Sequence, residues 1–249
     1  MPPEPASEAL VRDRTIYSCV MGSRAFGLAT DGSDTDRRGI FLAPAPLYWR
    51  FDKPPTHTEG PAPEQFSWEL ERFLELALRA NPNVLECLHS PLVEHIDDTG
   101  RELLDLRGAF LSRAAHQTFA RYAIGQRKKL AADVRQHGAP RWKHAMHLLR
   151  LLGACRDLLR TGVLVIDVGA DRERLLEVRR GEVPWPQVEA WMTRLFEEAD
   201  AAAPGSPLPP GPDRPRVEDF LFRTRRNSAL QAYADDEFAQ RLIGGGLGG

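Results

Sequence analysis

The chain has 249 residues, 42% of them hydrophobic and 27% charged, and a formal net charge of −2. This length accommodates one large domain or two small ones, and the apolar fraction suffices for a packed core. The sequence contains no run of about 18 apolar residues, which excludes a membrane-spanning helix. Residues 1–8 lack the features of a signal peptide, and the three scattered cysteines have no metal-type spacing. We therefore expect a cytoplasmic protein with reduced thiols.

The first hundred residues are predicted to form a small sheet with short helices. The first predicted elements are a strand at about 15–21, a short helix after Gly22-Ser23 and a strand from about Asp34 to before Pro44. A loop at 44–63 that contains several prolines follows. The next elements are a short strand at Phe66 and Trp68, a helix at 69–79 and a helix that starts at Asn81-Pro82. An asparagine cap followed by proline at the first helical position is typical of a helix N terminus.

From residue 101 onward the apolar periodicity predicts helices. Their ranges are 103–130, with interruptions near Gly108 and Gly125, then 141–160, closed by Gly162, and 171–180, 186–201 and 217–240. A Pro-rich loop at 203–215 lies between the last two helices, and a flexible Gly-rich tail ends the chain. We therefore predict an α+β fold, with a sheet domain at 1–100 followed by a helical domain at 101–249.

Positive charge is concentrated in one segment. Residues 107–150 contain ten Lys or Arg residues and one acidic residue, Asp133, which gives this segment a charge of +9. Because the whole chain carries −2, the remainder carries −11. A long basic segment in an otherwise acidic protein is typical of a surface that binds a polyanion, either a nucleoside triphosphate or nucleic acid. The alternative is a solvated helix face without a ligand.

The most informative motif lies between Gly22 and Asp36. Gly22-Ser23 follows an apolar strand and opens a helix, where free N–H groups can hold a phosphate. Ten residues later, Asp34 and Asp36 alternate at the start of the next predicted strand, so both carboxylates are expected on one face. Paired carboxylates suit Mg²⁺, which takes its other ligands from water and substrate phosphates. The motif therefore predicts phosphoryl or nucleotidyl transfer.

This arrangement resembles the signature of the DNA polymerase beta-like nucleotidyltransferase superfamily. More narrowly, the residues at 22–29 and 33–39 are similar to those of the RNA repair pathway DNA polymerase beta family. The resemblance spans about residues 15–180 and continues in three later segments, at 70–74, 81–86 and 143–152. One departure is Thr35, since the position between the two aspartates is usually apolar. A β-branched threonine still suits a strand.

The resemblance implies a third metal-binding carboxylate. It places that residue at Glu64, just before the third predicted strand, where it would act as the base or orient the attacking hydroxyl. Glu59 and Glu69 are the alternatives. Together with Asp34 and Asp36, Glu64 would hold two Mg²⁺ ions, for which Mn²⁺ can substitute, and these would clamp the attacking and leaving oxygens.

Further contacts with phosphate are predicted from basic residues. Lys143, His147 and Arg150 are spaced to share one helix face, where they would bind the β- and γ-phosphates of a nucleoside triphosphate. Arg24 would either contact phosphate or cover its own short helix. The basic turn Arg127-Lys128-Lys129 would contact a nucleic-acid backbone without reading its sequence.

We predict a Mg²⁺-dependent nucleotidyltransferase that moves a nucleoside monophosphate from a nucleoside triphosphate to an acceptor hydroxyl. The family resemblance implies RNA end repair, with RNA as the acceptor, and this step rests on analogy. Two alternatives stay open. One is a nucleotidyltransferase that modifies a protein or a small molecule, in which case the basic segment serves only the triphosphate. The other is a non-catalytic nucleotide-binding protein that has kept the fold.

Overall fold

A five-stranded sheet is built from residues 15–96. In the computed structural model, which describes residues 6–234, the strands are β1 (Thr15–Met21), β2 (Asp36–Phe41), β3 (His57–Glu59), β4 (Gln65–Glu69) and β5 (Val93–Ile96). They lie in the order β3-β4-β2-β1-β5. The β2–β4 pair is parallel, and the other neighbouring pairs are antiparallel. The strands predicted at 15–21 and around Phe66 are confirmed.

The central position of β1 follows from its apolar sequence. All of its residues after Thr15 are buried, so both faces of the strand are covered. β2 begins at Asp36 because its partner β1 ends at Met21, and these two residues form the last pair of the ladder. Residues before Asp36 therefore have no neighbouring strand, and the start predicted near Asp34 is two residues early.

Helices surround this sheet and form most of the chain after residue 97. Those found among the described residues are α1 (Ala6–Arg14), α2 (Gly22–Ala25), α3 (Leu70–Leu78), α4 (Pro82–Leu88), α5 (Asp98–Asp105), α6 (Ala114–His137), α7 (Trp142–Thr161), α8 (Arg172–Arg180), α9 (Trp185–Ala202) and α10 (Arg214–Ala234). The predicted α+β fold is thus confirmed. The predicted boundary near residue 100 lies inside α5, and the division into two domains stays a prediction.

Local signals at the helix ends act as predicted. The Asn81 side chain accepts a hydrogen bond from the Val84 N–H at the start of α4, and Pro82 occupies the first helical position. Gly162 ends α7 with a φ of 76°, a left-handed conformation that favours glycine. The interruption predicted near Gly108 is also present, since a short 3-10 helix (Arg107–Phe110) separates α5 from α6.

Two other predictions need correction, and two elements were not predicted. Gly125 does not interrupt α6, which continues from Ala114 to His137 because its buried Phe119, Ala123 and Leu130 anchor it on both sides of the glycine. The predicted loop at 44–63 contains a 3-10 helix (Ala45–Trp49) and the edge strand β3. Helix α1 and strand β5 were not predicted.

The Pro-rich stretch predicted as a loop at 203–215 begins with a 3-10 helix (Ala203–Gly205) and continues as a loop, held against the body of the protein, up to the start of α10. Leu208 is buried, the Arg113 N–H donates to the Pro209 carbonyl at 2.8 Å, and the Asp213 N–H donates to the Ala109 carbonyl at 2.8 Å. α10 begins at Arg214, slightly earlier than predicted. The end of the helix predicted at 217–240 and the Gly-rich tail lie outside the described residues.

One large hydrophobic cluster joins the sheet to the helices, from Ile16 in β1 to Phe220 in α10. Cys19, Cys87 and Cys155 are buried in it as free thiols, as expected. Within residues 6–234, the helices are too short or too polar to cross a bilayer. The core therefore holds the sheet and the inner faces of α6 and α7 at fixed positions.

Candidate active site

The turn after β1 brings Gly22 against the Asp36 carboxylate. Met21 pairs with Asp36, so the chain leaving β1 passes directly beside this side chain. Gly22 has a φ of 67°, and a Cβ atom on it would lie 2.2 Å from Asp36 Oδ2. Both the backbone conformation and the close approach require glycine here. The two ends of the predicted motif therefore meet in space.

Asp34 is positioned by a loop and not by strand alternation. It is exposed and precedes β2. Arg24 Nε donates to the Asp34 carbonyl at 3.3 Å, and Arg24 Nη2 donates to the Ser33 carbonyl at 3.0 Å. These bonds give the loop the partners that a neighbouring strand would otherwise supply. Arg24 thus fixes the loop that carries Asp34, and its contact with phosphate stays a prediction.

The strand register separates the three candidates for the third carboxylate. Continuing the parallel β2–β4 register by one residue places Glu64 beside Asp36, at the same end of the sheet. Glu64 is exposed and has a φ of 54°, so its backbone departs from the strand. Glu69 lies at the opposite end of β4, where Arg225 Nη2 binds its buried carboxylate at 2.9 Å. Glu59 is on the edge strand β3, further from β2.

A cavity of about 640 Å³ opens between the sheet and the helices α4, α6 and α7. This volume is typical of sites for small-molecule ligands. Gly22, Asp36 and Arg38 line its sheet side, and Arg38 Nη2 lies 4.0 Å from Asp36 Oδ1. The helices contribute polar and basic side chains, which include Asn83, Tyr122, Gln126, Lys129, His144, His147 and Arg150.

The three predicted phosphate ligands on α7 have different surroundings. His147 and Arg150 line the cavity, whereas Lys143 is exposed beside it. Arg150 donates to both carboxylate oxygens of the buried Glu86, at 2.6 and 3.3 Å, and its guanidinium lies 3.7 Å from the centre of the Phe26 ring. Burial, followed by the charges of Arg150 and Lys143, lowers the pKa of His147 to about 3. His147 is therefore neutral at pH 7, and the triphosphate contact stays a prediction.

The basic turn of α6 is divided between two surfaces. Lys129 lines the cavity, together with residues one turn earlier on the same helix. Arg127 and Lys128 face α9, where Arg127 Nη2 donates to Thr193 Oγ1 at 3.3 Å. The three residues therefore do not form one continuous patch, and their contact with nucleic acid stays a prediction.

Comparison with known proteins places this site in a family. The RNA repair pathway DNA polymerase beta family matches residues 5–223. The chain belongs to this family. It is also 28% identical over 189 residues to the uncharacterized protein YcgL of Bacillus subtilis (strain 168), an overlap that covers 68% of this chain and 71% of YcgL. No solved structure matches the chain.

One carboxylate at the side of the cavity has the chemistry of a Mg²⁺ ligand. Asp36 faces the cavity with 38% of its side chain exposed, and carboxylate oxygens are the ligands that Mg²⁺ prefers. Within residues 6–234, no three His, Cys, Asp or Glu side chains are already gathered closely enough to hold an ion. The assignment of Asp34, Asp36 and Glu64 as metal ligands therefore stays a prediction.

Several residues that line the cavity were not identified from the sequence. Arg38 could have been found, because it lies two residues after Asp36 and a strand directs alternate side chains to one face. Tyr122 and Gln126 share the i, i+4 spacing of a helix face that continues to Lys129. Asn83, at the start of α4, belongs to the segment at 81–86 that resembles the family, but its residue type alone does not show that it lines the cavity.

Proposed function

We propose that this protein is a nucleotidyltransferase that uses Mg²⁺ to transfer a nucleoside monophosphate from a nucleoside triphosphate to a hydroxyl group of RNA. Membership of a polymerase beta-like family supports the reaction type. The observation that carries the proposal is the packing of the Asp36 carboxylate against the Gly22 turn at the side of a nucleotide-sized cavity. In this arrangement, a carboxylate suited to a metal ion lies beside the backbone of Gly22, which a phosphate can approach closely because glycine has no side chain.

In the proposed reaction, the acceptor hydroxyl oxygen attacks the α-phosphorus in line. A new O–P bond forms, and the bond from the α-phosphorus to the bridging oxygen breaks, which releases pyrophosphate. Asp34, Asp36 and Glu64 would hold the ions, and bound Mg²⁺ supplies positive charge to the attacking and leaving oxygens. Glu64, exposed at the same end of the sheet, would accept the hydroxyl proton. Gly22 lets the backbone approach the phosphates closely.

Substitution of the aspartates tests this proposal. Asp36→Asn and Asp34→Asn should abolish transfer of label from each radiolabelled nucleoside triphosphate to total RNA, because the amide lacks the charge that binds Mg²⁺. Asp31→Asn is the matched control, since Asp31 is an exposed residue of the same loop. Thermal melting checks that all three variants are folded. Near wild-type transfer by either Asp34→Asn or Asp36→Asn would show that the metal site is misassigned.

Support for RNA as the acceptor comes from α6. Three of its exposed basic side chains have no hydrogen-bond or ion-pair partner in the described part of the chain, namely Arg121, Lys128 and Arg135. Their spacing of seven residues aligns them along one side of the helix, and Lys128 in this row lies toward α9. Unpaired cations in a row suit the phosphates of a polynucleotide, which they would position without reading its sequence.

The salt dependence of RNA binding tests this step. If all three cations contact phosphates of a single strand, affinity should fall by about 2 log units per log unit of salt. Replacement of the three by alanine should remove this dependence. A control variant with the same change in charge replaces three ion-paired surface arginines, Arg72, Arg180 and Arg214. If RNA binding is insensitive to salt while a protein or small molecule is labelled, the alternative acceptor is favoured.

A further inference from the structure

One face of α6 lines the cavity with an aromatic ring, an amide and an ammonium group. Tyr122, Gln126 and Lys129 follow the i, i+4, i+7 spacing that aligns side chains on a helix, and all three line the cavity. Ile124, on another face of the same helix, instead lines a shallow groove against α9. Lys128, which belongs to the row proposed to bind RNA, lines that groove and not the cavity.

Three polar side chains that line the cavity make no hydrogen bond to the described part of the protein. Tyr122 is 40% exposed, and within the described residues the side chains of Tyr122, Gln126 and Asn83 have no hydrogen-bond partner. Glu86 and Arg150, in contrast, bind each other in the same cavity. The three free side chains therefore offer donors and acceptors to a ligand at no cost in internal hydrogen bonds.

Two aromatic side chains of the sheet also line the cavity. Phe66 and Trp68 line it from β4, with ring centres 4.9 Å apart in an edge-to-face arrangement. Trp68 is held in turn by Phe73 of α3, with ring centres 5.9 Å apart. Aromatic side chains in the same cavity as an exposed tyrosine suit a flat, partly apolar ligand group.

The two ends of a nucleotide thus have different surroundings in one cavity. Gly22 and Asp36 lie where a phosphate-bound cation would be held, whereas Tyr122 and Gln126 offer a ring and an amide. We propose that the base of the nucleoside triphosphate stacks on Tyr122, with the Gln126 and Asn83 amides at its hydrogen-bonding edge. This inference rests on the proposed function. An amide presents a donor and an acceptor side by side, as the edges of the bases do.

Calorimetry with nucleotides and with inorganic tripolyphosphate tests the assignment. ATP, GTP, CTP, UTP and tripolyphosphate are each titrated, with Mg²⁺, into the wild type, Tyr122→Ala, Tyr122→Phe, Gln126→Ala and the matched control Ile124→Ala. Tyr122→Ala should lower the affinity for the nucleotides by about 5- to 150-fold, the usual effect of losing the stacking of one base on an aromatic side chain. Tyr122→Phe should keep wild-type affinity, and Gln126→Ala should change the ratio of affinities among the four bases. Tripolyphosphate should bind all variants equally, which also shows that they are folded.

The outcomes separate this inference from the proposed function. If Tyr122→Ala binds all four nucleotides as tightly as Ile124→Ala does, the base does not stack on Tyr122, although triphosphate binding by the site is retained. If the wild type binds neither the nucleotides nor tripolyphosphate, the proposed function itself fails and the base site fails with it.

Discussion

Replacing Gly22 with alanine is expected to displace the Asp36 carboxylate. A Cβ atom at residue 22 would lie 2.2 Å from Asp36 Oδ2, whereas ordinary contact begins at 3.4 Å, so the carboxylate must move by about 1.2 Å (3.4 − 2.2). A misplacement of about 1 Å can reduce a rate by about 100-fold. We therefore expect Gly22→Ala to lower nucleotide transfer by about two orders of magnitude.

A second glycine in the same segment provides the control. Gly32 has a φ of 80°, close to the 67° of Gly22, but a Cβ atom on Gly32 would meet nothing within 4 Å. Alanine in a left-handed conformation costs roughly 1–2 kcal/mol at either position. In urea denaturation, the free energy of unfolding should therefore fall by about 1–2 kcal/mol for Gly32→Ala and by at least as much for Gly22→Ala. Transfer should be lost only in Gly22→Ala, because only there is Asp36 displaced.

Two results would refute this reasoning. Wild-type transfer by a folded Gly22→Ala variant would mean that the position of Asp36 does not limit the reaction. An equal loss of transfer in Gly32→Ala would mean that backbone strain in the segment, and not the contact with Asp36, controls activity.

Three further predictions concern the surroundings of the site. Glu86→Gln leaves the guanidinium of Arg150 without a carboxylate, and only 7% of the Arg150 side chain is exposed. This substitution should lower the free energy of unfolding, measured in urea, by about 3–5 kcal/mol. A decrease of less than about 1 kcal/mol would contradict the prediction. Because the pKa of His147 is about 3 in the folded protein and 6.5 as its ordinary value, the unfolded chain binds more protons between these values, so stability should fall as the pH drops from 6.5 toward 3. His147→Gln should reduce that slope by up to about 1.4 kcal/mol per pH unit in urea titrations, and an unchanged slope would exclude His147 as its source. Arg172→Ala removes hydrogen bonds to the Gly27 and Ala29 carbonyls, at 2.9 and 3.2 Å, and should speed hydrogen exchange in that loop while leaving β4 unchanged.

The parts of the fold that the sequence predicts are those fixed by neighbouring residues. The Asn81 cap and the Gly162 terminus depend on backbone groups within a few residues, and the apolar stripe of α3 follows from helical spacing. The edge strands β3 and β5 escape prediction because they have little buried surface and therefore no alternating pattern.

In the candidate site, too, the predictable contacts are those between residues close together in the sequence. The Gly22–Asp36 contact is predictable, since a motif of fixed spacing connects two adjacent strands. The pairing of Arg150 with Glu86 is not, because these residues are 64 positions apart and meet only through the packing of α7 on α4. The spacing that groups Lys143 with His147 is real, but it cannot show which edge of that helix face lies over the cavity.

The ion pair between Glu69 and Arg225 has a consequence for the order of synthesis. The two residues are 156 positions apart, and Glu69 is 3% exposed in the folded protein. At about 5–20 residues per second, a ribosome adds Arg225 roughly 8–30 s after Glu69. A buried carboxylate without a cation is strongly unfavourable, so the end of β4 should stay hydrated during this interval. The C-terminal end of β4 should therefore become buried only after Arg225 has left the ribosome.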